Sequence, residues 1–172
     1  MDNRSAITAL GLEKPRVIAI IGGGGKSSLM AALGEEFRHR GETAVMTTTT
    51  HIRPPRQNGY MGDDAAVLSD LLITNRVMTV GMPAEEHKFG PSPLLERLPQ
   101  LADRVIIEAD GTKGLPLKVP NEHEPVIPPF ADAVVAVAGL SALGSRWGVS
   151  VTARSLPHCG SGFPRRRPSP RK

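Results

Sequence analysis

The sequence predicts an α/β fold, a mainly parallel sheet with helices on both faces. Three observations carry that prediction. Short apolar runs rich in Val and Ile recur at 16–21, 43–48, 76–80, 104–109 and 133–138. Helix-patterned stretches fall between several of them. The first run leads directly into Gly22-Gly23-Gly24-Gly25-Lys26-Ser27-Ser28 and then into a helical pattern, the order strand, loop, helix.

The elements follow in order. Residues 16–21 form a continuous apolar run, as a parallel strand buried on both faces requires. Residues 27–40 place Leu29, Met30, Leu33 and Phe37 at helical spacing, and Gly41 ends that helix. Residues 43–48 are rich in strand formers. Residues 49–62 hold Pro54, Pro55, Asn58, Gly59 and Gly62 and read as a loop. Asp63 or Asp64 caps a helix that runs to about Ile73. Residues 76–80 are a third strand, 81–92 a loop, and 93–98 a short helix limited by Pro99. Residues 104–109 and 133–138 complete the sheet.

Composition sets the outer bounds. The chain has 172 residues, 40% of them hydrophobic, which suits one domain with a real core. Aromatics make up only 3%, so that core is aliphatic. No apolar run is long enough to span a membrane, and the N-terminus lacks the layout of a secretory leader. The single cysteine, Cys159, forms no internal disulfide, so the cytoplasm is the default compartment.

The net charge of +4 is unevenly spread. Residues 145–172 hold seven basic side chains and no acid, whereas residues 1–144 hold 14 basic against 17 acidic, a net of −3. We therefore read 1–144 as a nucleotide-binding α/β domain, incomplete at its C-terminal end, and 145–172 as a basic Pro/Arg-rich tail. The tail is either disordered or foreign to the fold after a shift of reading frame, and its abrupt onset favours the second. It has no interleaved aromatics and no nucleic-acid reader motif, so nucleic acid is not the expected partner.

The glycine segment carries the chemistry. Glycines let backbone N–H groups turn inward around an anion, and the helix that follows points its positive end at the same place. Gly22, Gly23, Gly24 and Gly25 with Lys26 are expected to hold phosphates, joined by Ser28. Lys26 supplies a mobile charge to the terminal phosphates, and Ser27 is placed to ligate Mg²⁺. The usual pattern, Gly-x-x-x-x-Gly-Lys-Ser/Thr, fails because its first position falls on Ile20. The shorter Gly22-x-x-Gly25-Lys26-Ser27 fits.

A second constellation lies in 105–111. With a period of two, Glu108 and Asp110 face the same side at the carboxyl end of a strand, where open α/β sheets bind ligands. One of them is expected to hold Mg²⁺, and the other to orient water or an acceptor, making Lys26, Glu108 and Asp110 the catalytic candidates. Thr47, Thr48, Thr49, Thr50 and His51 follow a strand at the same edge, and Thr48 is a candidate for the magnesium shell or a phosphate. Lys113 and Lys118 are candidates for phosphate or an acidic substrate, whereas the Glu122-His123-Glu124 cluster matches no zinc spacing.

Together these residues resemble the YqeC family. The resemblance rests on the glycine segment, on Thr47 to His51, on Lys88-Phe89-Gly90, on Glu108-Ala109-Asp110-Gly111-Thr112-Lys113-Gly114 through Leu117-Lys118, and on His123-Glu124-Pro125-Val126-Ile127-Pro128. It spans about residues 10–144. It implies a fold similar to P-loop NTPases and a role as accessory protein in maturing a selenium-dependent molybdenum hydroxylase. That enzyme or its cofactor would be the partner. Ser27 stands where many members have Thr, which keeps the hydroxyl. Members usually continue past this chain's last strand with further helices.

The function expected is therefore a Mg²⁺-dependent nucleoside triphosphate-binding accessory protein. Alternatives are a non-catalytic phosphate- or cofactor-binding switch and a small-molecule kinase or ligase. No Asn-Lys-x-Asp segment supports guanine, so ATP is favoured over GTP.

Overall fold

The computed structural model describes residues 5–55, 57–85, 88–111, 114–118, 122–144 and 151–152. A six-stranded sheet, parallel throughout, forms its centre. Its strands are β1 (Val17–Gly22), β2 (Ala44–Thr48), β3 (Gly59–Tyr60), β4 (Val77–Val80), β7 (Arg104–Glu108) and β9 (Ala133–Val137). They lie in the order β3-β4-β2-β7-β1-β9. The α/β prediction is met, and the five expected strands are all present within one or two residues of their expected ends.

Alternation along the strands assigns each face. Ile18, Ile20, Ala44 and Ile106 pack against Met30, Leu33 and Phe37 of α2 (Lys26–His39) and Ile7 of α1 (Ala6–Ala9). Val17, Val45, Val105 and Ile107 point the other way, onto Leu68 and Leu72 of α3 (Ala65–Asn75) and Leu98 of α4 (Leu98–Leu101). Helices thus cover both faces, and the period of two decides which residue meets which helix. Arg104, on the α2 face, lays its guanidinium 4.8 Å from the Phe37 ring centroid and pairs with Glu42 at 2.5 Å.

The structure settles one local reading and corrects others. Asp64 is the cap of α3, accepting from the Ala66 and Val67 amides. Pro99 does not end the short helix. It sits in the first turn of α4, after a 3-10 turn at Leu95–Arg97, where a missing N–H costs nothing. The expected loops contain paired backbone. β3 adds to β4, and β5 (Met82–Ala84) pairs antiparallel with β6 (Lys88–Gly90). β8 (Leu117–Lys118) pairs with β10 (Val151–Thr152) inside the 145–172 segment. These pieces are two or three residues long, too short to show a period. Apart from β10, residues 145–172 lie outside the described residues, and so does Cys159.

α1 had no signal of its own, being a single turn. It is held by a distant carboxylate. Glu36 on α2 accepts from Ser5 Oγ at 2.6 Å, the Ala6 amide at 2.8 Å and the Ile7 amide at 3.1 Å. Burial disfavours its charge, but the Ser5 hydroxyl, those two amides and Arg40 more than offset this and hold its pKa below the ordinary value. A carboxyl with a depressed folded pKa stabilises above its unfolded pKa, and that contribution disappears as pH falls through the folded value. Glu36→Gln is therefore expected to cost about 1 kcal/mol at neutral pH and nearly nothing at low pH. Thermal melts from pH 7 to pH 3 should converge for the two proteins. Equal spacing at every pH would refute the cap.

Candidate functional site

The carboxyl ends of β1, β2 and β7 meet at one sheet rim, and the residues singled out by sequence gather there. β1 ends at Gly22, and the chain turns through Gly23, Gly24 and Gly25 into α2. Two close approaches fix this turn. Gly22 has φ +96°, and a Cβ built on it would lie 2.2 Å from the Val137 carbonyl oxygen of the neighbouring strand β9. Gly23 lies under β8, where a Cβ would come 2.7 Å from the Leu117 amide nitrogen. Only glycine fits there.

Not all the loop amides face outward. Gly22 N–H donates to Asp110 Oδ2 at 2.8 Å, and Gly23 N–H donates to the Val137 carbonyl at 2.8 Å. The amides of Gly24 and Gly25 make no hydrogen bond among the described residues, and α2 has no side-chain cap at Gly25. Among the described residues, the donors left without a protein acceptor are those of Gly24, Gly25 and the first turn of α2. Those groups are the orphan donors that helix starts present to anions.

Lys26 is 3% exposed and points at the acids. Its Nζ donates to the Gly22 carbonyl at 2.7 Å and lies 2.9 Å from Asp110 Oδ1 and 3.6 Å from Glu108 Oε1. Ser27 Oγ donates to Glu108 Oε2 at 3.4 Å. Strand alternation puts both carboxylates on the α2 face, as expected from their spacing. Burial pushes the Glu108 carboxyl above the ordinary range, opposed by the Lys26 ammonium and the Ser27 hydroxyl, and the Asp110 charge adds to the rise.

Asp110 Oδ1 is the informative atom. It is buried and lacks a hydrogen bond among the described residues, although Lys26 Nζ stands 2.9 Å away. The ammonium neutralises it but is not aligned to bond it. An oxygen in that state has coordinating capacity to spare. No group of three or more His, Cys, Asp or Glu fit to hold a metal occurs among the described residues. Two carboxylates and one hydroxyl suit Mg²⁺, which takes one or two protein oxygens and completes its shell with phosphates and water.

The threonines mainly build the rim. Thr47 donates to the Val80 carbonyl, Thr48 to the Glu108 carbonyl at 2.8 Å, and Thr49 to the Val126 carbonyl. The Thr48 hydroxyl is thus spent on stitching β2 to β7. Thr50 lines the open cleft instead. Ser28 also lines it, while Lys113 lies outside the described residues.

The structure brings together Lys118, a candidate for phosphate or an acidic substrate, and Glu124, whose cluster matched no zinc spacing. Lys118 Nζ donates to the Gly111 carbonyl at 2.6 Å, pairs closely with Glu124, and stands 3.9 Å from Asp110 Oδ2. Asp110 therefore lies between two lysines whose side chains are 3% and 4% exposed. The contact between Lys118 and Glu124 was not legible, because no motif pairs them. The whole rim opens into a cleft of about 1010 Å³.

A family model described as YqeC protein matches residues 18–155, which include the sheet from Ile18 of β1 onward and both acids. This chain belongs to the YqeC family. The family match contains the glycine loop and extends past the last strand of the central sheet. A YqeC relative from Escherichia coli (strain K12), described as uncharacterized, is 35% identical over 156 residues, covering 85% of this chain and 60% of that protein. The chain thus spans well under two thirds of its relative's length. No solved structure matches. In this YqeC chain Glu108 and Gly111 line the cleft, and Glu124 of His-Glu-Pro accepts from the Gly111 N–H at 3.3 Å. No helix among the described residues is long and apolar enough to cross a membrane.

Proposed function

We propose that this YqeC chain binds a Mg²⁺–nucleoside triphosphate at the glycine loop and acts as an accessory protein in maturing a selenium-dependent molybdenum hydroxylase. The observation that carries the nucleotide reading is the convergence of Lys26, Ser27, Glu108 and Asp110 beside the Gly24 and Gly25 amides, which make no hydrogen bond among the described residues. Gly24 and Gly25 amides and the start of α2 would hold phosphate, with Lys26 leaving its carboxylates for the terminal phosphates. Ser27 and one of Glu108 or Asp110 would hold Mg²⁺, which supplies charge neutralisation for phosphoryl chemistry. The remaining acid would orient a water or an acceptor. The accessory role comes from the family resemblance.

Calorimetry with Mg²⁺–ATP is expected to give one-to-one binding, tighter than with Mg²⁺–GTP. Ser27→Ala should lower affinity about tenfold in Mg²⁺ and little without metal. Absence of heat with both nucleotides, together with an unshifted melting temperature, would overturn the reading.

A switch reading is supported by one observation. Lys26 is latched onto Gly22 O, Asp110 and Glu108, so ligand binding must exchange these contacts for phosphate. Phosphate release by the purified chain, measured with and without a molybdenum hydroxylase, separates the two. Tight binding with no release in either case identifies a switch.

A further inference from the structure

We infer that Lys118 is a positioning residue, which takes over the charge of Asp110 when Lys26 moves from the acids to a bound phosphate. The inference rests on the triphosphate reading of the loop and names the group that frees Lys26 to move. In the unliganded chain Asp110 faces two cations. Lys26 Nζ stands 2.9 Å from Oδ1, and Lys118 Nζ stands 3.9 Å from Oδ2. Oδ2 also accepts from the Gly22 amide at 2.8 Å, so Asp110 fixes the start of the glycine loop. Its side chain is 4% exposed, and water gives its charge little support. Withdrawing Lys26 with nothing in its place would leave a buried carboxylate uncompensated, which opposes binding.

Lys118 is built to fill that place. At 3.9 Å it attracts Asp110 without a hydrogen bond to it. Charge-assisted hydrogen bonds form at about 2.8 Å, so the pair has roughly 1 Å left to close. While Lys26 holds the other carboxylate oxygen, two like charges share one acid and closure has little to gain. Once Lys26 leaves, that repulsion falls and Lys118 closes in.

The tethers of Lys118 keep it from following Lys26 to the ligand. Its ammonium donates to the Gly111 carbonyl at 2.6 Å and pairs closely with Glu124. Its strand is tied down too. The Pro116 carbonyl accepts from the Gly139 amide at 2.6 Å, and Leu117 lies against Gly23. Among the described residues, Lys26, Glu108, Gly111 and Glu124 line the cleft, whereas Asp110 and Lys118 do not. A ligand therefore meets Lys26 and Glu108, and Lys118 acts through Asp110.

The test is a double-mutant cycle on the full chain, read by calorimetry with Mg²⁺–ATP and by melting without nucleotide. Lys118→Met keeps the length of the side chain and removes its charge. It is expected to weaken Mg²⁺–ATP binding about tenfold, within the range for coupled neighbours, and to lower the melting temperature by about 5 °C. In an Asp110→Asn background the same replacement should weaken binding about twofold and cost less than about half the melting temperature, because no acid remains to be taken over. Where Asp110→Asn itself abolishes binding, the melts decide. Lys118→Gln, which retains a donor for the Gly111 carbonyl, should follow the same pattern. Equal losses in the two backgrounds would make Lys118 a packing residue and overturn the proposal. Full affinity in Lys118→Met would overturn it as well, and so would failure of both Lys118 variants to fold in either background. If the parent binds no nucleotide while the melts still show the Asp110 dependence, the triphosphate reading falls and the pairing of Lys118 with Asp110 stands.

Discussion

Lys26→Ala is expected to weaken Mg²⁺–ATP binding by roughly 10- to 100-fold, the loss of one charge-assisted contact worth about 1.5–3 kcal/mol. The same change should destabilise the unliganded protein. Lys26 sits 2.9 Å from Asp110 Oδ1 and 3.6 Å from Glu108 Oε1, all three buried. Removing one member of such a set leaves charge uncompensated, at a cost of about 3 kcal/mol or more. Lys118, 3.9 Å from Asp110, relieves part of it. The deficit has a defined pH dependence. Burial already raises the Glu108 pKa, and Lys26 opposes that rise. Without Lys26 the value climbs further, and a carboxyl raised in the folded state loses stability as pH increases through that value. The variant should therefore lag the parent more at pH 8 than at pH 5. Melting curves at the two pH values and a calorimetric titration check both halves. Full ATP affinity in Lys26→Ala would remove the loop from consideration as a triphosphate site.

Gly22→Ala is expected to be more damaging to the fold than any other glycine substitution in the loop. Its φ of +96° strains an L side chain, and the added Cβ would approach Val137 O to 2.2 Å. Strain contributes about 1–3 kcal/mol and the overlap a further 1–3 kcal/mol. The shift would also disturb the Gly22 bond to Asp110 and the Gly23 bond to Val137. A fall in melting temperature of about 6–15 °C is expected. Gly41→Ala provides the comparison, since Gly41 has φ +80° but nothing within 4 Å of its Cβ. It should cost about 1–2 kcal/mol. Equal losses in the two variants would mean that strain alone, and not contact with β9, fixes the loop.

The exposed side of β9 bears on handling the protein. Among the described residues β9 pairs only with β1; Val134 on it is half exposed, and Leu140 and Leu143, beyond its end, are more so. Among the described residues no helix packs on that face. Such a surface favours association between chains.

Legibility varied with the length of the signal. The α2 helix was readable because its apolar spacing persists from Leu29 to Phe37, more than two turns, and Gly41 stops it. β3, β5, β6 and β8 were not, since two or three residues carry no period. At the site, Lys26, Ser27, Glu108 and Asp110 were readable because strand, loop and helix constrain one another locally. Thr48 carried no local cue to its partner: a threonine at a strand end looks the same whether its hydroxyl faces a ligand or a neighbouring carbonyl. Lys118 was legible as a candidate for phosphate, but no local pattern showed that it pairs with Glu124 beside Asp110.

Local chemistry alone determined the strand–glycine–helix unit, the pair of acids two residues apart and the alternation that puts both on one face. Covalent spacing and backbone sterics act within a few residues and leave their mark in the order of amino acids. The three-dimensional arrangement decided the rest. It placed β7 beside β1 so that the acids meet Lys26, committed the Gly22 and Gly23 amides to Asp110 and Val137, and brought Lys118 onto Asp110. Those contacts join residues far apart in the chain, and their cause is the packing of one strand against another, which no short stretch of sequence encodes.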